Sequence, residues 1–203
     1  LGDYKNARRN FSIYLQAAEQ RSSYRREALK ALTDCDFALH AMENPLSFQP
    51  VNLGPQVNTG LNEYWPSVTA DGQLLVFTVL VEDGRAVVPG GPQSRGQEDF
   101  YYSTKEEGIW TRARTVGNSL NTSGNEGAQS LSADGFSMYF TACDRPDGFG
   151  SCDIYFSNRN GGEWNRGTNV GRPVNSTWWE TQPSISADGR SLYFASNRPG
   201  GKG

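Results

Sequence analysis

Val68-Thr69-Ala70-Asp71-Gly72, Leu131-Ser132-Ala133-Asp134-Gly135 and Ile185-Ser186-Ala187-Asp188-Gly189 are three copies of one pattern. In each, an aromatic follows six residues after the Asp, at Phe77, Phe140 and Phe194. Asp-Gly signals a turn, because Gly accepts positive φ and Asp can bond the backbone two residues on. The pattern predicts a strand A before the turn and a strand B after it that ends in the aromatic. Tandem units of this length built from short strands predict a radial array of small sheets, a β-propeller, instead of one closed core.

The rest of the repeat keeps the register. The first copy continues to Asp99-Phe100-Tyr101-Tyr102-Ser103, then Trp110, then Val116-Gly117-Asn118-Ser119-Leu120-Asn121. The second continues to Asp153-Ile154-Tyr155-Phe156-Ser157, Trp164 and Val170-Gly171-Arg172-Pro173-Val174-Asn175. A third strand C is expected from Asp99 or Asp153, and a fourth, D, after Trp110 or Trp164. Gly161-Gly162 marks the turn between strands C and D. Asp71 to Asp134 spans 63 residues and Asp134 to Asp188 spans 54; Phe77 to Asp99 spans 22 and Phe140 to Asp153 spans 13. The nine extra residues therefore belong to the B–C loop of the first copy, which contains Arg85, Val88 and Pro89. B–C and D–A loops leave a propeller on one face, and an insertion there marks a contact face. Arg85, Val88 and Pro89 are accordingly candidate partner-binding residues. Trp178 and Trp179 join them from the D–A loop before the third copy, either as anchors for a partner or sugar or as packing between blades.

Composition narrows the function. The 203 residues carry a net charge of −3 and a pI near 5.3, so no basic stripe exists to hold phosphates and nucleic-acid binding is not expected. No apolar run is long enough to span a bilayer. Two blades and part of a third do not close a ring, so the natural chain is expected to continue past Gly203. Leu53-Gly54-Pro55-Gln56-Val57-Asn58 repeats the blade-ending pattern ahead of the first full copy, and is read as an outer strand completing the last blade. The expected organisation is a helical segment over 1–43, a linker with the closing strand over 44–61, and blades over 62–124, 125–178 and 179–203, the last incomplete.

The helical segment has its own signature. Gly2, Tyr4, Ala7 and Phe11 carry the spacing of the turn and second helix of a tetratricopeptide unit, where a small Ala lets helices approach and Phe fills the groove. Any two-helix hairpin is the alternative. A second helix is expected from about Ser23 to Met42, ended by Asn44-Pro45.

The order of these parts resembles the multidomain OmpA-family lipoproteins of the Bacteroidetes. The residues that carry the resemblance are Ala41-Met42-Glu43-Asn44-Pro45, Asn52-Leu53-Gly54 through Asn58, and Glu63-Tyr64-Trp65-Pro66-Ser67. Asp144-Arg145-Pro146-Asp147-Gly148-Phe149-Gly150 and Ser196-Asn197-Arg198-Pro199-Gly200-Gly201 carry it further. In that family tetratricopeptide helices precede a TolB-like (WD40-like) β-propeller and an OmpA-like peptidoglycan-binding domain, which this sequence lacks. The resemblance implies a scaffold at the periplasmic face of the bacterial outer membrane, as in type IX secretion, gliding or outer-membrane assembly complexes. Its partners would be other cell-envelope proteins, with peptidoglycan reached only through the absent domain.

Little in the sequence suggests catalysis. His40 is the sole histidine and lies on the helical segment, so neither a catalytic triad nor a zinc site is expected, and no cofactor is called for. Cys143 and Cys152 end strand B and open strand C, adjacent antiparallel strands; in an oxidising periplasm they would form a disulfide, the alternative being two buried thiols. Cys35 reads as a small core residue. Asp144, Asp147 and Asp153 with Gly148 and Gly150 offer a calcium loop as a lesser alternative to turn-forming Asp. Glu63, Glu126 and Glu180 recur before each strand A, and repetition in every blade argues for structural bonding between neighbouring blades. Carbohydrate or peptide binding is the second functional reading, and the propeller of an enzyme with its catalytic domain downstream the third.

Overall fold

The computed structural model describes residues 2–81 and 96–201. The chain forms two compact units, Leu1–Val51 and Asn52–Gly203.

The first unit is a pair of packed helices, α1 (Tyr4–Ala17) and α2 (Arg25–Glu43). Asp3 caps α1 by accepting the Asn6 N–H. Arg25 donates to the Leu15 and Ala18 carbonyls (2.8 and 3.2 Å), which satisfies acceptors at the end of α1. Of the α2 residues only Ala28 and Cys35 are buried, while Leu29 and Phe37 remain exposed. Two helices alone offer too little surface to cover an apolar stripe.

The second unit is a partial β-propeller. Blade 1 contains β1 (Asn62–Val68), β2 (Leu74–Val81), β3 (Gln97–Glu106), β4 (Ile109–Trp110) and β5 (Arg114–Thr115). Blade 2 repeats it with β6 (Glu126–Leu131), β7 (Ser137–Cys143), β8 (Cys152–Asn160), β9 (Glu163–Trp164) and β10 (Thr168–Asn169). A third, partial blade supplies β11 (Glu180–Ile185) and β12 (Leu192–Ser196). All pairings are antiparallel between chain neighbours, apart from the split fourth strand.

Each A–B turn follows from its sequence. The Oδ1 atoms of Asp71, Asp134 and Asp188 accept the N–H two residues on, at Gln73, Phe136 and Arg190 (2.9, 3.0 and 3.1 Å). The Thr69, Ser132 and Ser186 hydroxyls donate to the same carboxylates and accept from the start of the next strand. Gly72, Gly135 and Gly189 occupy positive φ near 70°.

The blades stack face to face. Leu74, Val76 and Phe100 of blade 1 meet Met138, Phe140 and Tyr155 of blade 2 in one buried cluster, where the Phe100 and Phe140 rings sit edge to face at 5.3 Å. Polar bonds fix the stacking: Thr78 donates to Gln129 Oε1 (2.9 Å), Leu131 N–H to Ser67 Oγ (3.0 Å) and Ile185 N–H to Ser130 Oγ (3.1 Å).

Several expectations need correction. The repeated aromatic does not end strand B; Phe77, Phe140 and Phe194 lie inside β2, β7 and β12, because packing against the preceding element needs a central side chain. Strand D begins before the tryptophan and is split, Ile109–Trp110 and Arg114–Thr115 both pairing with β3. The extra length of the first copy is not all loop: β2 and β3 share eight paired positions against seven for β7 and β8. Ahead of blade 1, the Val57 and Asn58 N–H groups bond Gly54 O in a turn that lays Val57 on Phe77 and Val79. Arg85, Val88 and Pro89 lie outside the described residues.

Candidate interaction face

Each blade is entered through the same six-residue turn, Asn-Thr/Ser-x-x-x-Glu, at 58–63, 121–126 and 175–180. The Glu carboxylate accepts the backbone N–H of the Thr or Ser four residues earlier, for Thr59, Thr122 and Ser176 (2.9, 3.0 and 2.8 Å), and the hydroxyl as well. Glu126 and Glu180 are fully buried, and each meets an arginine from its own blade's B–C loop: Arg145 Nη1 at 3.1 Å and Arg198 Nη2 at 3.0 Å. The recurring glutamates Glu126 and Glu180 therefore tie a strand A to the turn that closes the preceding blade, at Thr122 and Ser176. Thr, Ser and Gln side chains add direct bonds from sheet to sheet. For Glu180, burial pushes the carboxyl up, but hydrogen bonds from Ser196, Ser176 and Arg198 outweigh it and hold the group below its ordinary value.

The B–C loop of blade 2, residues 144–151, is fixed from every side. Cys143 and Cys152 face each other in the register and are joined by a disulfide. Asp153, itself buried, accepts the Phe149 and Gly150 N–H groups (2.8 and 3.2 Å). Tyr155 donates to Asp147 (2.8 Å), and the Arg145 guanidinium lies 5.1 Å over the Tyr155 ring. Burial first, and the Asp147 carboxylate with it, push the Tyr155 hydroxyl up to about 12. Asp144, Asp147 and Asp153 do not converge, and no group of three metal-ligating side chains occurs among the described residues.

This rigid loop rests on the turn that carries the tryptophans. A Cβ on Gly150 would stand 1.7 Å from the Trp178 carbonyl oxygen, so only glycine permits the contact. Trp178 N–H donates to Ser176 Oγ (3.1 Å) and Trp179 N–H to Asn197 Oδ1 (2.9 Å). Their backbones are thus held while the side chains stay 47% and 37% exposed. Phe149, 45% exposed, lies under the Arg172 guanidinium at 5.7 Å. Three aromatics and an arginine thereby share one edge of the B–C/D–A face, on a backbone with little freedom to move. Cys35 is buried on α2, and His40 is exposed there beside Asn44.

Sequence reasoning missed two features of this scaffold. The first is the asparagine that opens each turn. Asn121 Oδ1 accepts Phe100 N–H (2.8 Å) and its Nδ2 donates to Phe100 O (3.0 Å); Asn175 does the same to Ile154 (2.8 and 2.7 Å). The invariant spacing from Asn to Glu was the signal that could have found it. The second is a bulge in each strand A, where Trp65, Ala128 and Gln182 adopt φ of 52–54° without being glycine.

No protein-family profile matches this chain, and no curated protein is significantly similar to it. Among solved structures, a putative TolB from Agrobacterium tumefaciens shares 18% identity over 72% of this chain and 42% of its own, with a TM-score of 0.44. A prolyl endopeptidase shares 18% identity over 75% of this chain and 26% of its own, with a TM-score of 0.33. The chain thus spans less than half the length of either. The blade architecture is carried by the chain's own sheets.

Proposed function

We propose that this chain is a non-catalytic protein-interaction module, a scaffold at the periplasmic face of the bacterial outer membrane. On this reading it serves a secretion, gliding or outer-membrane assembly complex. Its propeller face docks other cell-envelope proteins, and its helix pair, of tetratricopeptide type, docks another. Attachment to peptidoglycan would come through an OmpA-like domain outside these residues. The resemblance of the repeats and linker to OmpA-family lipoproteins supports the setting, and a disulfide suits an oxidising compartment. Among the described residues no helix is long and apolar enough to cross a membrane.

The observation that carries the reading is the exposed aromatic edge made by Phe149, on a loop pinned by a disulfide, a buried ion pair and Asp153, and by Trp178 and Trp179, on the turn that this loop rests against. Exposed tryptophans on a pre-ordered backbone lose little entropy on binding and serve as anchors. Cross-linking in envelope extracts, comparing the parent chain with Trp178→Ala/Trp179→Ala, tests it. The expected result is loss of the cross-linked proteins from the variant with unchanged folding. An unchanged cross-linking pattern contradicts the reading. Binding of peptidoglycan fragments or glycans by the parent chain, lost in the same variant, would favour a carbohydrate-binding propeller instead.

A further inference from the structure

We propose that the seam between blades 1 and 2 holds a binding site for a carboxylate, an acidic side chain or a free chain end, received by the Arg159 guanidinium where it stacks on Trp164. The site lies among the third and fourth strands of the two blades and uses none of Phe149, Trp178 and Trp179, so it goes beyond the aromatic edge.

Other arginines of the same blades show what a stacked guanidinium takes. Arg145 lies 5.1 Å over the Tyr155 ring and Arg198 5.3 Å over the Phe194 ring, and each bonds a buried carboxylate, Glu126 at 3.1 Å and Glu180 at 3.0 Å. Stacking fixes the guanidinium plane and leaves its N–H edge to a bidentate partner. Arg159 stands 5.7 Å over the Trp164 ring, yet among the described residues its side chain makes neither a hydrogen bond nor an ion pair. Asp71, held low chiefly by its hydrogen bonds from Thr69 and Gln73, feels the Arg159 charge only through space. The stack alone does not call for arginine: Lys105 stands over Trp110 at the matching place in blade 1, 5.4 Å from the ring. Arg172 over Phe149 is exposed, whereas Arg159 is half-buried.

The walls around Arg159 suit such a ligand. Tyr102, Thr115 and Ser119 of blade 1 and Arg159, Glu163 and Trp164 of blade 2 line a mainly polar groove of about 360 Å³. Trp164 is buried in the same cluster as Leu120 and Phe140, so the support under the guanidinium is fixed. Thr115 Oγ1 accepts from Gly117 N–H (3.3 Å) and Asn121 Nδ2 (2.9 Å), which leaves its own proton to donate. The Tyr102 and Ser119 hydroxyls have no partner among the described residues. A carboxylate offers several acceptor positions and can engage the arginine fork and a neighbouring hydroxyl together. A sugar ring would find the Trp164 face already taken by the guanidinium. Glu163, the acid of the lining, pairs in register with Asn160 and forms no ion pair with Arg159. Its charge repels a doubly charged phosphate more than a singly charged carboxylate.

The test is an NMR titration of the isotope-labelled chain, following the Arg159 Nε–H, the Trp164 indole N–H and the Ser119 amide. The probes are acetyl-Gly-Glu-Gly-amide, whose only carboxylate is a side chain, and acetyl-Gly-Gly-Gly with a free carboxyl end. Acetyl-Gly-Gln-Gly-amide is the neutral control, and inorganic phosphate the competing anion. Saturable shifts of all three signals are expected with at least one carboxylate peptide, and the tighter of the two identifies the source. Arg159→Gln is expected to weaken that binding at least about tenfold, and Arg159→Lys at least about threefold. The lysine variant keeps a stacked cation as blade 1 does, so this arm stands even where the glutamine variant folds poorly. Equal shifts with the neutral peptide overturn the proposal, as do unchanged affinities in both variants. Tighter binding of phosphate than of either peptide overturns the assignment to a carboxylate.

Discussion

Asn121 and Asn175 each make a side-chain amide serve as a rung of a β-ladder, because a carboxamide presents a donor and an acceptor with the spacing of a peptide group. Both are buried, so removing the donor leaves a strand carbonyl unpaired and places a charge where water does not reach. Asn121→Asp is expected to lower stability by about 2–4 kcal/mol in urea unfolding, against less than about 1 kcal/mol for Asn58→Asp. Gly150 is limited by space alone. Gly150→Ala drives a methyl into the Trp178 carbonyl, and a loss of at least about 1–3 kcal/mol is expected, with broadened Trp178 resonances as the local readout. The carboxylates set an acid limit. Hydroxyl bonds from Thr69, Ser132 and Ser186, then backbone N–H bonds, hold Asp71, Asp134 and Asp188 below their ordinary values; in Glu180 hydrogen bonds overcome the opposing effect of burial. Groups with depressed folded values contribute stability that is complete above the unfolded value, about 4, and lost as pH falls through the folded one. Thermal midpoints are therefore expected to drop below about pH 4, and Asp134→Asn to lower the midpoint at pH 7 while flattening the acid limb. An acid limb unchanged in that variant contradicts the assignment.

At the scale of elements, the B–C loop of blade 2 illustrates how one feature is held redundantly. Its disulfide closes a short loop, for which chain entropy suggests about 2–3 kcal/mol. Cys143→Ser/Cys152→Ser is expected to lose about that much, yet to leave the Phe149 and Gly150 amides protected from hydrogen exchange, because Asp153 still accepts both. Exchange of those two amides as fast as in an unfolded chain would contradict that division. Strands A, B and C of these blades were legible in the sequence, because Ala-Asp-Gly turns and apolar alternation are local signals. The split of strand D was not: a two-residue pairing carries no periodicity. The bulge residues Trp65, Ala128 and Gln182 were also hidden, since their left-handed backbone is imposed by the strand partner and no glycine marks it. The face bearing Trp178 and Trp179 was legible from strand direction, whereas the contact with Gly150 that fixes it depends on tertiary approach.

At the scale of the whole molecule, the helix pair and the blades have separate cores, one built on Ala28 and Cys35, the other on the Phe100–Phe140 cluster. Deleting residues 1–43 is expected to leave the β-sheet circular dichroism and the Thr78–Gln129 contact intact while removing any partner that uses the helices. Loss of the sheet signal would show that the blades depend on the helical unit. The blades themselves depend on one another, since Phe100 and Phe140 are buried only where the two sheets meet. Face-to-face stacking of sequential sheets is thus the feature on which the whole second unit depends. A nuclear Overhauser spectrum of the chain tests it directly. Cross-peaks are predicted between the Phe100 and Phe140 rings and between the Thr141 and Thr181 methyls, whose hydroxyls lie 3.0 Å apart. Cross-strand peaks within each sheet with neither inter-blade set present would contradict it.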